Sequence, residues 1–327
     1  MSATPPDSPA AAPAGSPHEA AADTAAATAT QVFLDHRELL FSIVYNMLGS
    51  VADTEDVLQE TWLAWAPRAQ APRAEPIDNP RAYLVRIAVH QALARQAAIR
   101  RRRETYIGPW LPEPLVTPLA DTASPNDAGD AANAAVQAEA VSMALLVVLE
   151  TLTPLERAVF VLGEVFGYSH PEIAEILGRR PAAIRQLAHR AREHVHARRP
   201  RYQADPGLRR QVTERFVAAV SGGDLPTLLH LLAPEVTLWA DGGGKAVAAG
   251  LRPVHGRDTV ARLLASGVSR APQGLGVRYR QVNGEPAALL FAGDAPFAVI
   301  VLDLTPDGQQ ICGIYTVTNP DKLARVD

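Results

Sequence analysis

The sequence predicts a multidomain chain: two all-α units, each carrying a strongly basic helix, followed by an α+β unit. Three observations predict it. Apolar residues recur at i, i+3, i+4 spacing through residues 31–104 and again through 138–200. Two arginine-dense stretches, 81–103 and 179–210, fall within or just behind these segments. Beyond residue 207, after a first pair of helices, short apolar runs punctuated by Asn283-Gly284 and Pro306-Asp307-Gly308 replace the helical period. At 327 residues the chain is long enough for two or three domains, each with its own core.

Residues 1–30 are mostly Ala, Pro, Ser and Thr, with few large apolar side chains, and are expected to form a disordered tail. In the first unit, 31–104, Leu40, Ile43, Val44, Met47 and Leu48 keep the helical rhythm, and Gly49 is placed to end the helix. Ser50 and Asp53 open a second helix in the manner of a capping box. It carries Val57, Leu58, Trp62 and Trp65 on one face, shows Asp53, Asp56, Gln59 and Glu60 on the other, and is expected to stop before Pro67. From spacing alone the acidic face reads as solvated. After a proline-rich loop at 67–80, Asp78 or Asn79 caps a third helix that mixes Tyr83, Leu84, Ile87, Ala88 and Leu93 with Arg81, Arg86, His90 and Arg95. It ends on Arg100, Arg101, Arg102 and Arg103, a charge density that suits a nucleic-acid backbone.

In the second unit, 138–200, residues 138–152 read as one helix. Thr153-Pro154-Leu155-Glu156 then opens a helix that Gly167 breaks, and Ser169-His170-Pro171-Glu172 repeats the same grammar for a helix ending at Gly178. Pro181 starts a last helix, apolar through Ile184, Leu187, Ala188 and Ala191, with Arg185, Gln186, His189, Arg190 and Arg192 facing out. Two short helices across a tight glycine turn make a helix-turn-helix, with arginine matched to guanine and glutamine to adenine. Arg180 stands where a capping Ser or Thr is usual.

Asp53-Thr54-Glu55-Asp56-Val57-Leu58-Gln59-Glu60-Thr61-Trp62, followed by Asn79-Pro80-Arg81-Ala82-Tyr83-Leu84, resembles region 2 of an extracytoplasmic-function sigma factor of the sigma-70 family, and the helix-turn-helix resembles region 4. The resemblance implies that Asp56, Gln59 and Glu60 contact the β′ clamp of the RNA polymerase core, with the β flap as a further contact. It assigns the −10 promoter element to the helix with Arg81, Arg86, Arg95, Arg100, Arg101, Arg102 and Arg103, and a flipped-out base to the loop at 66–80. The −35 element falls to Arg185, Gln186, His189, Arg190 and Arg192.

The linker, 105–137, contains Tyr106-Ile107-Gly108-Pro109-Trp110-Leu111-Pro112-Glu113-Pro114-Leu115. Its prolines favour an extended path, and Trp110 beside Leu111 is costly in water unless it docks; a stiff spacer is the other reading. In the third unit, 207–327, helices lead, then strands at 235–240, 277–282, 287–291, 297–304 and 310–317 with a helix at 257–265, an α+β order read as an antiparallel meander. That order resembles the cone-shaped SnoaL-like fold. Three motifs, Trp110-Leu111-Pro112-Glu113-Pro114, Asp241-Gly242-Gly243-Gly244-Lys245 and Asn319-Pro320-Asp321-Lys322-Leu323, resemble the sigma-factor subgroup in which such a domain is fused at the C-terminus. The resemblance implies that the three form a contact through which the third unit tunes the others in cis, and it leaves room for a small ligand in the cone.

The lone Cys312 allows no internal disulfide and fits a reducing cytosol. No apolar run reaches the ~20 residues of a membrane span, and no metal-ligand cluster is legible. Asp241 and His255 are candidate bases, but no base–orienter pair is readable, and the triple glycine argues for a tight loop; no catalysis and no cofactor are expected. Two alternatives stay open: a ligand-sensing helix-turn-helix repressor, and a SnoaL-type isomerase with appended DNA-binding domains.

Overall fold

The computed structural model describes residues 17–70, 77–117, 141–197, 205–246, 250–267, 272 and 274–326. Helix α1 (Pro17–Leu48) starts well inside the expected tail. Alanine is the strongest helix former, and the buried backbone at Ala29 accepts the Trp65 indole N–H at 2.9 Å, so the alanine-rich segment extends the helix rather than trailing from it. Residues 1–16 of that tail lie outside the described residues. Gly49, at φ +70°, ends α1. Helix α2 (Val51–Gln70) runs through Pro67 instead of stopping before it. The carbonyl that loses its partner is that of Leu63, whose residue is 62% exposed, so water can satisfy it. Helix α3 (Pro80–Glu104) is capped by Asn79, whose side chain accepts from Ala82 N at 3.0 Å.

Helix α4 (Met143–Leu149) is shorter than the helix expected over 138–152, of which 138–140 lie outside the described residues. Ser142 caps its start, and residues 151–152 leave the helix so that Thr153 can cap α5 (Pro154–Phe160). A π-helical turn (Val161–Val165) continues α5. Helices α6 (His170–Leu177) and α7 (Pro181–His196) follow, and both expected capping boxes, Thr153 with Glu156 and Ser169 with Glu172, are formed. Gly178 turns the chain at φ +61°.

The two helical units share one continuous apolar core. Leu40, Ile43, Leu84, Val85 and Ala88 of the first merge with Leu146, Val159, Leu162 and Ile173 of the second. Side chains of this size stabilise by about 1.5–3 kcal/mol each when fully buried, so the shared seam is a substantial attraction between the units. Polar contacts cross it as well: His90 Nε2 lies 2.9 Å from the Ile176 carbonyl, and Arg157 Nε donates to the Asn46 carbonyl at 3.0 Å.

The third unit begins with α8 (Pro206–Gly222) and α9 (Leu225–Leu231), and α10 (Arg257–Gly267) completes its helical layer. Its seven-stranded sheet is built from β1 (Val116–Thr117), β2 (Leu232–Asp241), β3 (Val254–His255), β4 (Leu275–Val282), β5 (Glu285–Ala292), β6 (Ala295–Leu304) and β7 (Ile311–Val317), in the order β1-β4-β5-β6-β7-β2-β3. Strands β4 to β7 form the expected antiparallel meander, but β2 joins β7 in parallel, so the sheet is mixed. The β4–β5 hairpin turns at Asn283 (φ 53°) and Gly284 (φ 73°), as its sequence predicts. Strand β1 comes from the linker: Val116 pairs with Val282.

Alternation along the strands splits the apolar side chains between two faces. One face, with Ala288, Leu302 and Ile314, packs under Val212, Phe216, Leu228 and Val260 of α8–α10. The opposite face, with Leu289, Val299, Val301 and Val317, is covered by Leu111 of the linker, Met143 and Leu323. The linker therefore closes the second face of the sheet.

Candidate functional site

The three sequence motifs meet on that second face. Asp241, at the end of β2, is fully buried and accepts from three donors: the Tyr106 hydroxyl, Leu111 N at 2.8 Å and Lys322 Nζ at 2.7 Å. Lys322 also donates to the Leu111 carbonyl, and its ammonium stands 3.4 Å from the centre of the Trp110 ring. Asn319 caps the short helix α11 (Pro320–Leu323), receives Asp321 N at 3.1 Å, and gives its Nδ2 to the Tyr106 hydroxyl at 2.8 Å. Its backbone N–H reaches the Asp241 carbonyl at 2.9 Å, and Lys245 pairs with Asp321 at 2.5 Å. In the tight turn, Lys245 N returns to the Gly242 carbonyl at 2.9 Å. Gly243 (φ +59°) has no room for a side chain, because an added Cβ would lie 2.4 Å from Asn319 Nδ2. At Gly244 (φ +72°) an added Cβ would lie 3.0 Å from the Ile107 side chain.

Pro112, Glu113 and Pro114 are buried on the other side, against the first unit. Glu113 N donates to the Gly49 carbonyl at 2.9 Å, its carboxylate accepts Val51 N at 2.8 Å, and its carbonyl accepts the Tyr45 hydroxyl at 2.6 Å. Asn283 of the β4–β5 hairpin in turn donates to Tyr45 Oη at 2.7 Å. One extended peptide thus bonds to α1, α2 and the sheet at once. Burial pulls the Lys322 ammonium down to about 8 despite the neighbouring Asp241 carboxylate. Burial and the Asp241 carboxylate both push the Tyr106 phenol up.

The acidic face of α2 and the basic face of α3 are partly engaged with each other. Arg95 pairs with Asp53 at 2.9 Å, with Asp56, and with Glu60 at 3.6 Å, while Gln59 is exposed. Arg102 pairs with Asp53 at 2.7 Å. Burial opposes ionisation of Asp53, but the bonds from Arg102 and Arg95 outweigh it and hold the carboxyl below its ordinary range. Arg81, Arg86, Arg100 and Arg101 are exposed, and the Arg81 guanidinium lies 5.5 Å from the Tyr168 ring centre. Arg103 turns inward: it pairs with Glu150, stacks 4.6 Å from the Trp110 ring centre, and is lowered to about 9 by burial and then by Arg157. Residues 71–76 of the loop expected to hold a flipped base lie outside the described residues.

On α7, Arg185, Gln186, His189 and Arg190 are exposed along one face. Arg190 leans on Glu156 at 3.3 Å and Arg192 on Glu164 at 2.8 Å. Arg180 makes no side-chain cap bond, as its chemistry predicts.

Sequence reasoning missed Tyr106, Tyr45, Asn283, Glu150 and Arg157. Tyr106 stood four residues before Trp110 and shared its excess aromatic character; Asn283 was visible only as a turn residue, and the other three carried no local signal. Of the candidate bases, Asp241 is covered by the linker, and His255 Nδ1 lies 3.0 Å from Thr237 Oγ1 on β2. Among the described residues no group of three His, Cys, Asp or Glu could hold a metal ion, and no helix is long and apolar enough to cross a membrane.

Residues 32–105 match the family model described as Sigma-70 region 2, and residues 142–195 the one described as Sigma-70, region 4. The chain is 39% identical over 295 residues to the ECF RNA polymerase sigma factor SigJ of Mycobacterium tuberculosis, covering 88% of this chain and 90% of that one. It is 32% identical over 290 residues to a probable ECF RNA polymerase sigma factor, SigI, of the same organism, covering 88% and 92%. The crystal structure of M. tuberculosis SigJ superposes with a TM-score of 0.69 at 36% identity, covering 90% of this chain and 98% of that chain.

Proposed function

The chain belongs to the extracytoplasmic-function RNA polymerase sigma factors, and from that premise we propose how its surfaces divide the work of promoter recognition. Asp56, Gln59 and Glu60 meet the β′ clamp of the core enzyme, and the second helical unit meets the β flap. Arg81, Arg86, Arg100 and Arg101, exposed on α3, follow the phosphates of the −10 element. Arg185, Gln186, His189 and Arg190, exposed on α7, read the −35 element in the major groove. The protein works in the cytoplasm and carries out no catalysis of its own; Asp241, which a SnoaL-type isomerase would need as a base, is spent on the linker. A conventional repressor would have no use for the acidic face of α2.

The third unit acts in cis through the contact at Asp241. The observation that carries this reading is the convergence of all three motifs on that one buried carboxylate. The two promoter elements lie about 25 base pairs apart, about 85 Å along the duplex at about 3.4 Å per base. Regions 2 and 4 share a core here, with His90 2.9 Å from the Ile176 carbonyl, so they must separate to reach both elements. Arg103 ties region 2 to Glu150 of region 4 and to Trp110 of the linker, so a linker held by Asp241 and Lys322 favours the closed arrangement. Binding of the purified chain to core polymerase, followed by fluorescence anisotropy, tests the first part of the proposal. Asp56→Ala with Glu60→Ala is expected to weaken it about tenfold or more, whereas Gln186→Ala leaves it unchanged and removes −35-dependent transcription. Unchanged core binding by the double variant would overturn the assignment.

A further inference from the structure

We propose a binding site for a hydrogen-phosphate group in the cavity between regions 2 and 4. The cavity has a volume of about 160 Å³ and is lined by the end of α1 (Met47, Leu48), by α3 (Gln96, Arg100, Arg103) and by Glu150 and Arg157 of region 4. One water needs only about 10–15 Å³ of such space, so an oxyanion with attendant water fits.

Its charge is unbalanced. Arg103 and Arg157 both pair with the single carboxylate of Glu150, and Arg100 adds a third guanidinium at the rim. Arg157 is 4% exposed, and burial lowers it to about 9. One buried and one half-buried cation sharing one anion leave positive charge that a folded interior tolerates poorly without a partner. Hydrogen bonding is unbalanced in the same place. Arg157 Nη2 and Arg103 Nε are buried donors without a protein acceptor, and Gln96 Oε1 is a buried acceptor without a donor. The orientation of Gln96 is set, because its Nε2 donates to the Met47 carbonyl at 2.8 Å.

Two unpartnered donors and one unpartnered acceptor, carried by residues that line the same cavity, define the ligand. A phosphate near neutral pH offers anionic oxygens to the guanidiniums and a P–OH to Gln96 Oε1; sulfate offers the oxygens alone. Free phosphate and the terminal phosphate of a nucleotide share this chemistry. An occupant touching α3 and Arg157 together would also hold regions 2 and 4 closed, by as much as it prefers the closed state.

Calorimetric titration of the full-length chain with sodium phosphate, sodium sulfate and ADP, at ionic strength fixed with sodium chloride, tests the site. Saturable one-to-one binding of phosphate is expected, weakened about tenfold or more for sulfate, which cannot satisfy Gln96. ADP binding more tightly than phosphate assigns the site to a nucleotide, and weaker binding to the free ion. Arg103→Gln should weaken phosphate about tenfold, and Glu150→Gln, which removes the competing carboxylate, should tighten it. The gain in Glu150→Gln separates the site from simple loss of fold, and circular dichroism checks each variant. Absence of saturable binding by the folded wild-type chain, equal affinity for phosphate and sulfate, or weaker phosphate binding by folded Glu150→Gln would overturn the proposal.

Discussion

The Lys322 ammonium lies 2.7 Å from the Asp241 carboxylate and directly above the Trp110 ring, so a cation five residues past the last strand, which ends at Val317, joins the sheet to the linker. The pair is buried on both sides, Asp241 fully and Lys322 to 7% exposure, which makes it sensitive to loss of either partner.

Removing one charge strands the other. Asp241→Asn keeps the shape but leaves Lys322 buried without its anion, and breaking such a pair costs about 3–5 kcal/mol. Urea denaturation should show this loss, together with faster proteolysis in the linker around Tyr106–Leu111. The double variant Asp241→Asn, Lys322→Met should lose less than the sum of the single variants.

The same lysine confers a pH response. Its folded pKa of about 8 lies below the ordinary 10.5, so between these values the unfolded chain binds more protons than the folded one. Its contribution to stability therefore rises with pH across that window and is constant below it. Deprotonation also removes the cation above Trp110. Tryptophan fluorescence of the native chain should titrate with a midpoint near 8, and Lys322→Met should abolish the transition.

Gly243 and Gly293 separate backbone strain from collision. Both have positive φ, +59° and +65°, so alanine costs each about 1–2 kcal/mol. Only at Gly243 does the new Cβ meet Asn319, whereas nothing lies within 4 Å at Gly293. Gly243→Ala should therefore lower the thermal midpoint further than Gly293→Ala.

Arg95 occupies the acidic face proposed for the core enzyme, reaching Asp53, Asp56 and Glu60. Partly exposed pairs of this kind contribute about 0.2–1 kcal/mol, so Arg95→Ala should tighten core binding by about two- to fivefold in an anisotropy titration. Asp53 remains held by Arg102 in that variant.

Much of this was legible in the sequence because it rests on local chemistry. Asn79, Thr153 and Ser169 cap helices as their types predict, and Asn283-Gly284 turns a hairpin. Trp110 docks because an exposed indole flanked by leucine is costly in water. The errors were also local rules overridden by tertiary context: an alanine-rich segment expected to be disordered is helical beneath Trp65, and Pro67 is absorbed where its orphaned carbonyl faces solvent. The parallel pairing of β2 with β7, the linker strand at Val116 and the inward turn of Arg103 depend on partners 70 or more residues away or on the opposite unit, and no short-range pattern announces them. The fused core of regions 2 and 4 was invisible for the same reason, since each segment's apolar stripe accounts equally well for a separate bundle.

The most direct test of the cis-regulatory account is promoter-dependent transcription from reconstituted core enzyme, comparing the full-length chain, a chain ending at Thr318 and the Asp241→Asn variant. Loss of Asn319 and Lys322, or of their anionic partner, frees the linker and should raise transcript yield from the same promoter at equal sigma concentration, with the start site unchanged. Equal or lower yield from both altered chains, with core binding intact, would contradict the account.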